Sequence, residues 1–227
     1  MGLLSGVKHD CAAVFELRES GSALTDAAGQ VVHIELSAVY PLLKSSDLAR
    51  GRLATRRRML VTQTSLDADP EQLRGTAPAA WAYLESAADR LAARRSSIYR
   101  GRHRFAQFGV GPYTFIDWKV AVSGLYKQVQ FQVIGPFHGQ PVVFDDTCYF
   151  LPCPSEDTAS RVGHLLDSTP ARGYLRAFMF SDAKRPITAA LLSRLDLDAV
   201  ARYLGEQPTG LQPSGWSADT ASISLLD

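Results

Sequence analysis

The chain reads as an α+β protein, a mixed and mainly antiparallel sheet lobe followed by a C-terminal helical part. Three observations predict this. Residues 105–151 are dense in aromatic and β-branched side chains, and Gly and Pro cut them into strand-sized pieces. Trp81, Leu84, Ala88 and Leu91 recur at helical spacing inside 78–96. Beyond Pro154 the apolar periodicity stays helical to about position 204.

In chain order, Val14–Arg18 and Val31–Leu36 alternate as strands around a turn at Asp26–Gly29. His9, Asp10 and Cys11 are adjacent, and adjacent side chains seldom converge on one ion, so a loop entering a strand is expected there. Val39–Leu48 follows, and Pro41 predicts an edge strand running into a loop or a short helix, which Ser45, Ser46 or Asp47 would cap. Met59–Thr64 reads as a strand, and Leu66–Pro78 as a loop. Pro78–Ser96 is the clearest helix, with Arg94 and Arg95 in its last turn.

Short strands are then expected at Val120–Val122, Val129–Ile134, Pro141–Asp145 and Thr147–Leu151, with Lys119 and Lys127 at the sheet margins. Ser155 caps a helix with apolar positions Ala159, Val162, Leu165 and Leu166. A second helix covers Pro170–Phe180. A third starts at Thr188, and a fourth spans Asp196–Leu204. Residues 1–206 form the folded domain, with two lobes at about 1–104 and 105–206, and 207–227 is Pro/Gly/Ser-rich and reads as a flexible tail.

Composition excludes several classes. No apolar run is long enough for a membrane span, and the N-terminus lacks a signal-peptide core. Three cysteines fit a reducing compartment without a disulfide framework, so a cytoplasmic location is expected. Net charge is +1, but residues 44–104 hold thirteen basic against six acidic side chains. A polyanion contact needs such a basic segment. Its densest part is 94–104, with Arg94, Arg95, Arg100, Arg102, Arg104, His103 and Tyr99 and no acid. Arg forks grip phosphate oxygens and read guanine edges.

Catalytic motifs are missing. There is no phosphate-cradling Gly-rich loop ending in Gly-Lys-Ser/Thr, and Gly109-Val-Gly111-Pro is too short for a dinucleotide fingerprint. No Cys-x-x-Cys and no Gly-x-Ser-x-Gly elbow occur. Asp145-Asp146 is a carboxylate pair of the kind that holds Mg²⁺, which leaves a Mg²⁺-dependent nuclease as an alternative reading; yet strand neighbours point to opposite faces. A protein–protein scaffold is a third reading.

The order of motifs carries a resemblance. Tyr40-Pro-Leu-Leu-Lys-Ser-Ser-Asp-Leu48 comes first, then a strand. Pro78-Ala-Ala-Trp-Ala-Tyr-Leu84 follows, with Arg94-Arg-Ser-Ser-Ile-Tyr99 behind it. Next come Phe108-Gly-Val-Gly-Pro-Tyr113, Lys119–Lys127 and Asp145-Asp-Thr-Cys-Tyr-Phe150, and the series closes with Leu165-Leu-Asp-Ser-Thr169, Lys184-Arg-Pro-Ile-Thr188 and Leu195-Asp-Leu197. Over about residues 5–206 this resembles the C-terminal target-recognition region, the TaqI-like specificity domain, of N6-adenine DNA methyltransferases from restriction–modification systems. The resemblance implies a module that binds double-stranded DNA and reads a short sequence. That family's Asn-Pro-Pro motif and Gly-rich S-adenosylmethionine loop do not occur here, so catalysis and the cofactor would belong to a partner methyltransferase domain or subunit, this chain being encoded separately or truncated from a longer enzyme. By motif position, Lys44, Ser45 and Asp47 would form a DNA-facing turn. Arg94, Arg95, Arg100, Arg102, Arg104 and Lys127 would touch backbone or bases, and Lys119, Lys184 and Arg185 would assist.

Overall fold

The computed structural model describes residues 3–180 and 182–209. The expected tail falls outside the described residues from position 210 onward. The chain runs through β1 (Leu4–Ser5), α1 (Ala12–Phe15), β2 (Glu16–Ser20), β3 (Ala23–Thr25), β4 (Val31–Val32), β5 (Val39–Leu43), α2 (Ser45–Ala49) and β6 (Arg57–Leu60). It continues through α3 (Leu73–Thr76), α4 (Pro78–Ser86), α5 (Ala88–Ala92), β7 (Trp118–Ser123), β8 (Phe131–Ile134), β9 (Val143–Phe144) and β10 (Cys148–Cys153). It closes with α6 (Glu156–Asp167), α7 (Thr169–Phe178), α8 (Ala189–Ser193) and α9 (Leu197–Tyr203). Among the described residues no helix is long and apolar enough to cross a membrane.

The strands form two sheets among the described residues, ordered β1-β10-β7-β8 and β4-β3-β2-β6-β5-β9. Every pairing is antiparallel except β5 with β9. The fold is therefore α+β with mainly antiparallel sheets. Each half lends a strand to the other: β1 pairs with β10, and β9 pairs with β5.

Pro41 sits in an interior strand rather than at an edge. Residues 39–41 of β5 pair with β6, and residues 42–43 pair with β9. The partner changes just after Pro41, where a missing N–H interrupts neither ladder for long. At the start, Ala12–Phe15 coils into a helical turn, so β2 begins at Glu16 and not at Val14. The expected helix over 78–96 divides at Ala87 (φ −104°, ψ 10°) and ends at Ala92. The caps read at Ser155 and Thr188 hold, whereas α2 starts from Lys44, with the Asp47 carboxylate accepting the Lys44 N–H. Ser155 Oγ accepts the Thr158 N–H at 3.2 Å, and Thr188 Oγ1 accepts the Leu191 N–H at 3.1 Å.

Strand β7 has both faces covered. Val120 and Val122 pack with α6–α9, while Ala121 joins Leu43, Leu48, Phe144 and Phe150 in a second core. A third core gathers α4 and α5 against β2, with Phe15, Leu60, Trp81, Leu84 and Phe105. Between the halves the N-terminal segment threads a narrow channel. The Val7 N–H donates to Phe144 O at 2.7 Å, and Lys8 exchanges backbone hydrogen bonds with Phe108. Gly109 (φ +64°) lies so close that a Cβ there would stand 2.4 Å from Gly6 O. Only glycine fits that backbone crossing.

Candidate nucleic-acid interface

The arginine segment after α5 is built around one of its own members. The Arg94 guanidinium donates to Leu91 O (3.1 Å), His9 O (3.2 Å), Ala106 O (2.9 Å) and Arg104 O (2.6 Å). It also stacks 3.7 Å from the centre of the Tyr99 ring, which packs edge-on against Phe108. One planar fork thus ties together the end of α5, the loop before α1, and both ends of the Arg-rich loop. Burial pulls its pKa below the ordinary guanidinium value, and Tyr99, Cys11 and Asp10 oppose that shift.

Arg94 therefore faces inward, although sequence alone placed it toward DNA. The absence of nearby acids in the sequence missed its actual partners, which are backbone carbonyls. Arg104 is exposed, pairs with Glu85 and lies over Phe105. Arg95, Arg100 and Arg102 are exposed and form no ion pair among the described residues. They leave a scaffold fixed by the short 3₁₀ turn Ser97–Tyr99 and by Arg102 N–H to Tyr99 O at 3.2 Å. Beside them, Arg90, Arg94, Arg95, Ser96 and Asp10 line an open depression of about 350 Å³.

The predicted DNA-facing turn at α2 is internal. Ser45 is 2% exposed, and its hydroxyl donates to Thr147 O at 2.6 Å; the Gly124 N–H reaches the same carbonyl at 2.9 Å. Asp47, 8% exposed, accepts the Lys44 N–H at 2.9 Å and an Arg57 N–H at 2.7 Å. The Lys44 ammonium donates to both Glu16 oxygens at 2.8 and 3.0 Å and lies 3.6 Å from Asp145. Burial alone would lower the Lys44 pKa, yet the Glu16 and Asp145 carboxylates raise it above the ordinary lysine value. His9 Nε2 stands 3.3 Å from Glu16, so a polar chain His9–Glu16–Lys44–Asp145 runs from β2 of the six-stranded sheet to the β9–β10 turn. These residues tie β2 and β5 to the β9–β10 turn, a role that a motif on one turn cannot reveal.

Asp145 and Asp146 do not converge. The Asp145 carboxylate accepts from the Thr147 hydroxyl at 2.5 Å and faces Lys44, whereas Asp146 pairs with Arg185 at 3.2 Å. Among the described residues no cluster of three or more His, Cys, Asp or Glu is arranged to hold a metal. Arg185 is thus committed to the β9–β10 turn, and Lys184 beside it is exposed. Lys127 is exposed on the β7–β8 turn with Leu125 and Tyr126.

Lys119 is the largest departure from the sequence reading. It is 0% exposed, not marginal, because β7 is an interior strand with both faces covered. Its ammonium donates to Val142 O at 2.8 Å and to Ile116 O, near the Phe144 and Phe150 rings. A lysine embedded in the near-continuous apolar run 118–122 was the available signal.

No family model matches the chain. The chain is similar to the Type II methyltransferase M.NspV of Nostoc sp. (strain ATCC 29411 / PCC 7524), at 41% identity over 201 residues, which is 88% of this chain. It spans 42% of that protein's length. Among solved structures, the Type IIL restriction-modification enzyme MmeI in complex with DNA aligns with 71% of this chain and 20% of its own, at 12% identity and a TM-score of 0.41, a likeness too distant to carry an argument. Nearly the whole chain is thus similar to part of a Type II methyltransferase.

Proposed function

We propose that this chain is a DNA-binding sequence-specificity module of an N6-adenine DNA methyltransferase or restriction–modification system. The observation that carries this reading is the set of exposed guanidinium groups of Arg95, Arg100 and Arg102, which form no ion pair among the described residues, on a loop that Arg94 ties down. Similarity to a Type II methyltransferase over most of the chain supports it. Methylating a base inside a duplex requires extruding it into a pocket. This module would fix register on the phosphates and select the site, while a partner methyltransferase domain or subunit carried the chemistry.

The Gly-rich loop that would hold S-adenosylmethionine is not offered by Gly109–Gly111. The one Gly-x-Gly stretch is closed off, since Gly109 abuts Gly6 and a Cβ at Gly111 would stand 2.4 Å from the Tyr113 ring. That stretch offers no backbone cradle, and on this reading S-adenosylmethionine would bind the partner domain or subunit.

The test is duplex binding as a function of salt. Affinity should fall steeply as salt rises, through counterion release. Replacing Arg95, Arg100 and Arg102 with Ala should flatten the log–log slope by roughly 0.9 for each phosphate no longer neutralised. A wild-type chain whose affinity ignores salt, or a triple variant with an unchanged slope, overturns the proposal.

A further inference from the structure

The loop between α2 and β6 also carries cations that form no ion pair among the described residues. It leaves α2 through a Schellman turn: the Arg52 N–H donates to Asp47 O at 2.9 Å, the Gly51 N–H to Leu48 O at 3.2 Å, and Gly51 takes φ +62°. At its far end the Arg57 side chain returns to the Asp47 carboxylate at 2.7 Å, and Thr55 Oγ1 accepts the Arg57 N–H at 3.0 Å. Asp47 thus pins both ends, one through its carbonyl and the other through its carboxylate. Gln132 of β8 donates to Leu48 O at 3.3 Å and ties the same base to the second sheet.

The run Arg56-Arg57-Arg58 is split by this geometry. Arg57 pairs with Asp47, and buried Arg58 pairs with Glu19. Arg50, Arg52 and Arg56 remain exposed, with no ion pair among the described residues, around an exposed Leu53. A solvated surface loop needs neither a doubly pinned base nor three guanidinium groups within seven residues. A pinned loop does what base readout requires, because a fork must be presented at fixed geometry to bond a guanine edge.

Resting on the DNA reading above, we infer that the Arg50–Arg56 loop is a base-reading finger that enters a groove of the bound duplex, with Asp47 as its positioning residue. Guanine edges are the chemistry its forks fit, and Leu53 suits an apolar contact such as a thymine methyl.

The experiment is selection of binding sites by the whole chain from a duplex pool with a randomised core. The chain is compared with a variant in which Arg50, Arg52 and Arg56 are all Lys, and thermal melting checks that both are folded. Lysine keeps the charge and loses the bidentate fork. The expected result is a defined motif for the wild type. The variant should prefer that motif about tenfold less for each guanine no longer read. A variant that selects the same motif with the same preference overturns the inference and leaves the module's DNA binding standing. A wild type that binds without preference also overturns it. A wild type that binds no duplex overturns the DNA reading and the inference together.

Discussion

Lys119 gives the sharpest test of how this fold is held. The unfolded chain holds its proton with a pKa near the ordinary 10.5, while burial in the folded protein pulls it down to about 7, with Asp117 opposing. The folded state therefore binds this proton less firmly than the unfolded state. Between about pH 7 and pH 10 the unfolded chain is protonated where the folded one is not, so stability rises with pH at a slope approaching about 1.4 kcal/mol per unit. In Lys119→Met that slope is absent. The Ile116 and Val142 carbonyls lose their donor, which adds a pH-independent cost of about 1–3 kcal/mol each. Urea unfolding followed by tryptophan fluorescence measures both proteins at several pH values. The variant's stability relative to wild type should fall by about 2 kcal/mol from pH 7 to pH 9. Titration of the other groups cancels in that difference. A difference that stays flat within about 0.5 kcal/mol would show that the ammonium reaches water and refute the reasoning.

Two further outcomes follow from the packing. Arg94→Ala should cost about 2–4 kcal/mol in the same unfolding assay, because it leaves the carbonyls of Leu91, His9 and Ala106, each partly buried, without their donor, and Arg94→Lys should recover only a small part, since a point charge cannot span them. Gly109→Ala should cost at least about 2 kcal/mol, with a positive φ and the Gly6 carbonyl both opposing a Cβ, whereas Gly75→Ala on the open face of α3 should change stability by less than about 1 kcal/mol in the favourable direction. Melting temperatures measured side by side would distinguish them, and equal losses would argue against the Gly6–Gly109 crossing.

The elements were legible where local chemistry decides them. The caps at Ser155 and Thr188, the apolar stripe of α6 and the strands on either side of Gly124 follow from spacing and turn residues. The fate of individual cations was not legible, because it is decided by partners distant in sequence. Lys44 meets Glu16 across 28 positions, and Arg185 meets Asp146 across 39. Adjacent residues diverge for the same reason. Arg94 bonds carbonyls at the end of α5, in the loop before α1 and at residues 104–106, while Arg95 faces solvent, and no property of the dipeptide separates them.

Counting carboxylates near a basic cluster is therefore a poor guide to whether it is free. A guanidinium is satisfied as well by backbone oxygens, which every segment supplies and no composition records. What identifies an available cation is the opposite pattern: an arginine beside others already committed to the fold. Arg94 and Arg57 consume the internal acceptors at their sites, and Arg95, Arg100 and Arg102 on one loop and Arg50, Arg52 and Arg56 on the other are left facing water. In each loop an inward cation fixes the backbone from which the outward ones project. Mutating the inward member should thus disturb folding and binding together, and mutating the outward ones should disturb binding alone; that separation is what a recognition surface predicts and a merely solvated face does not.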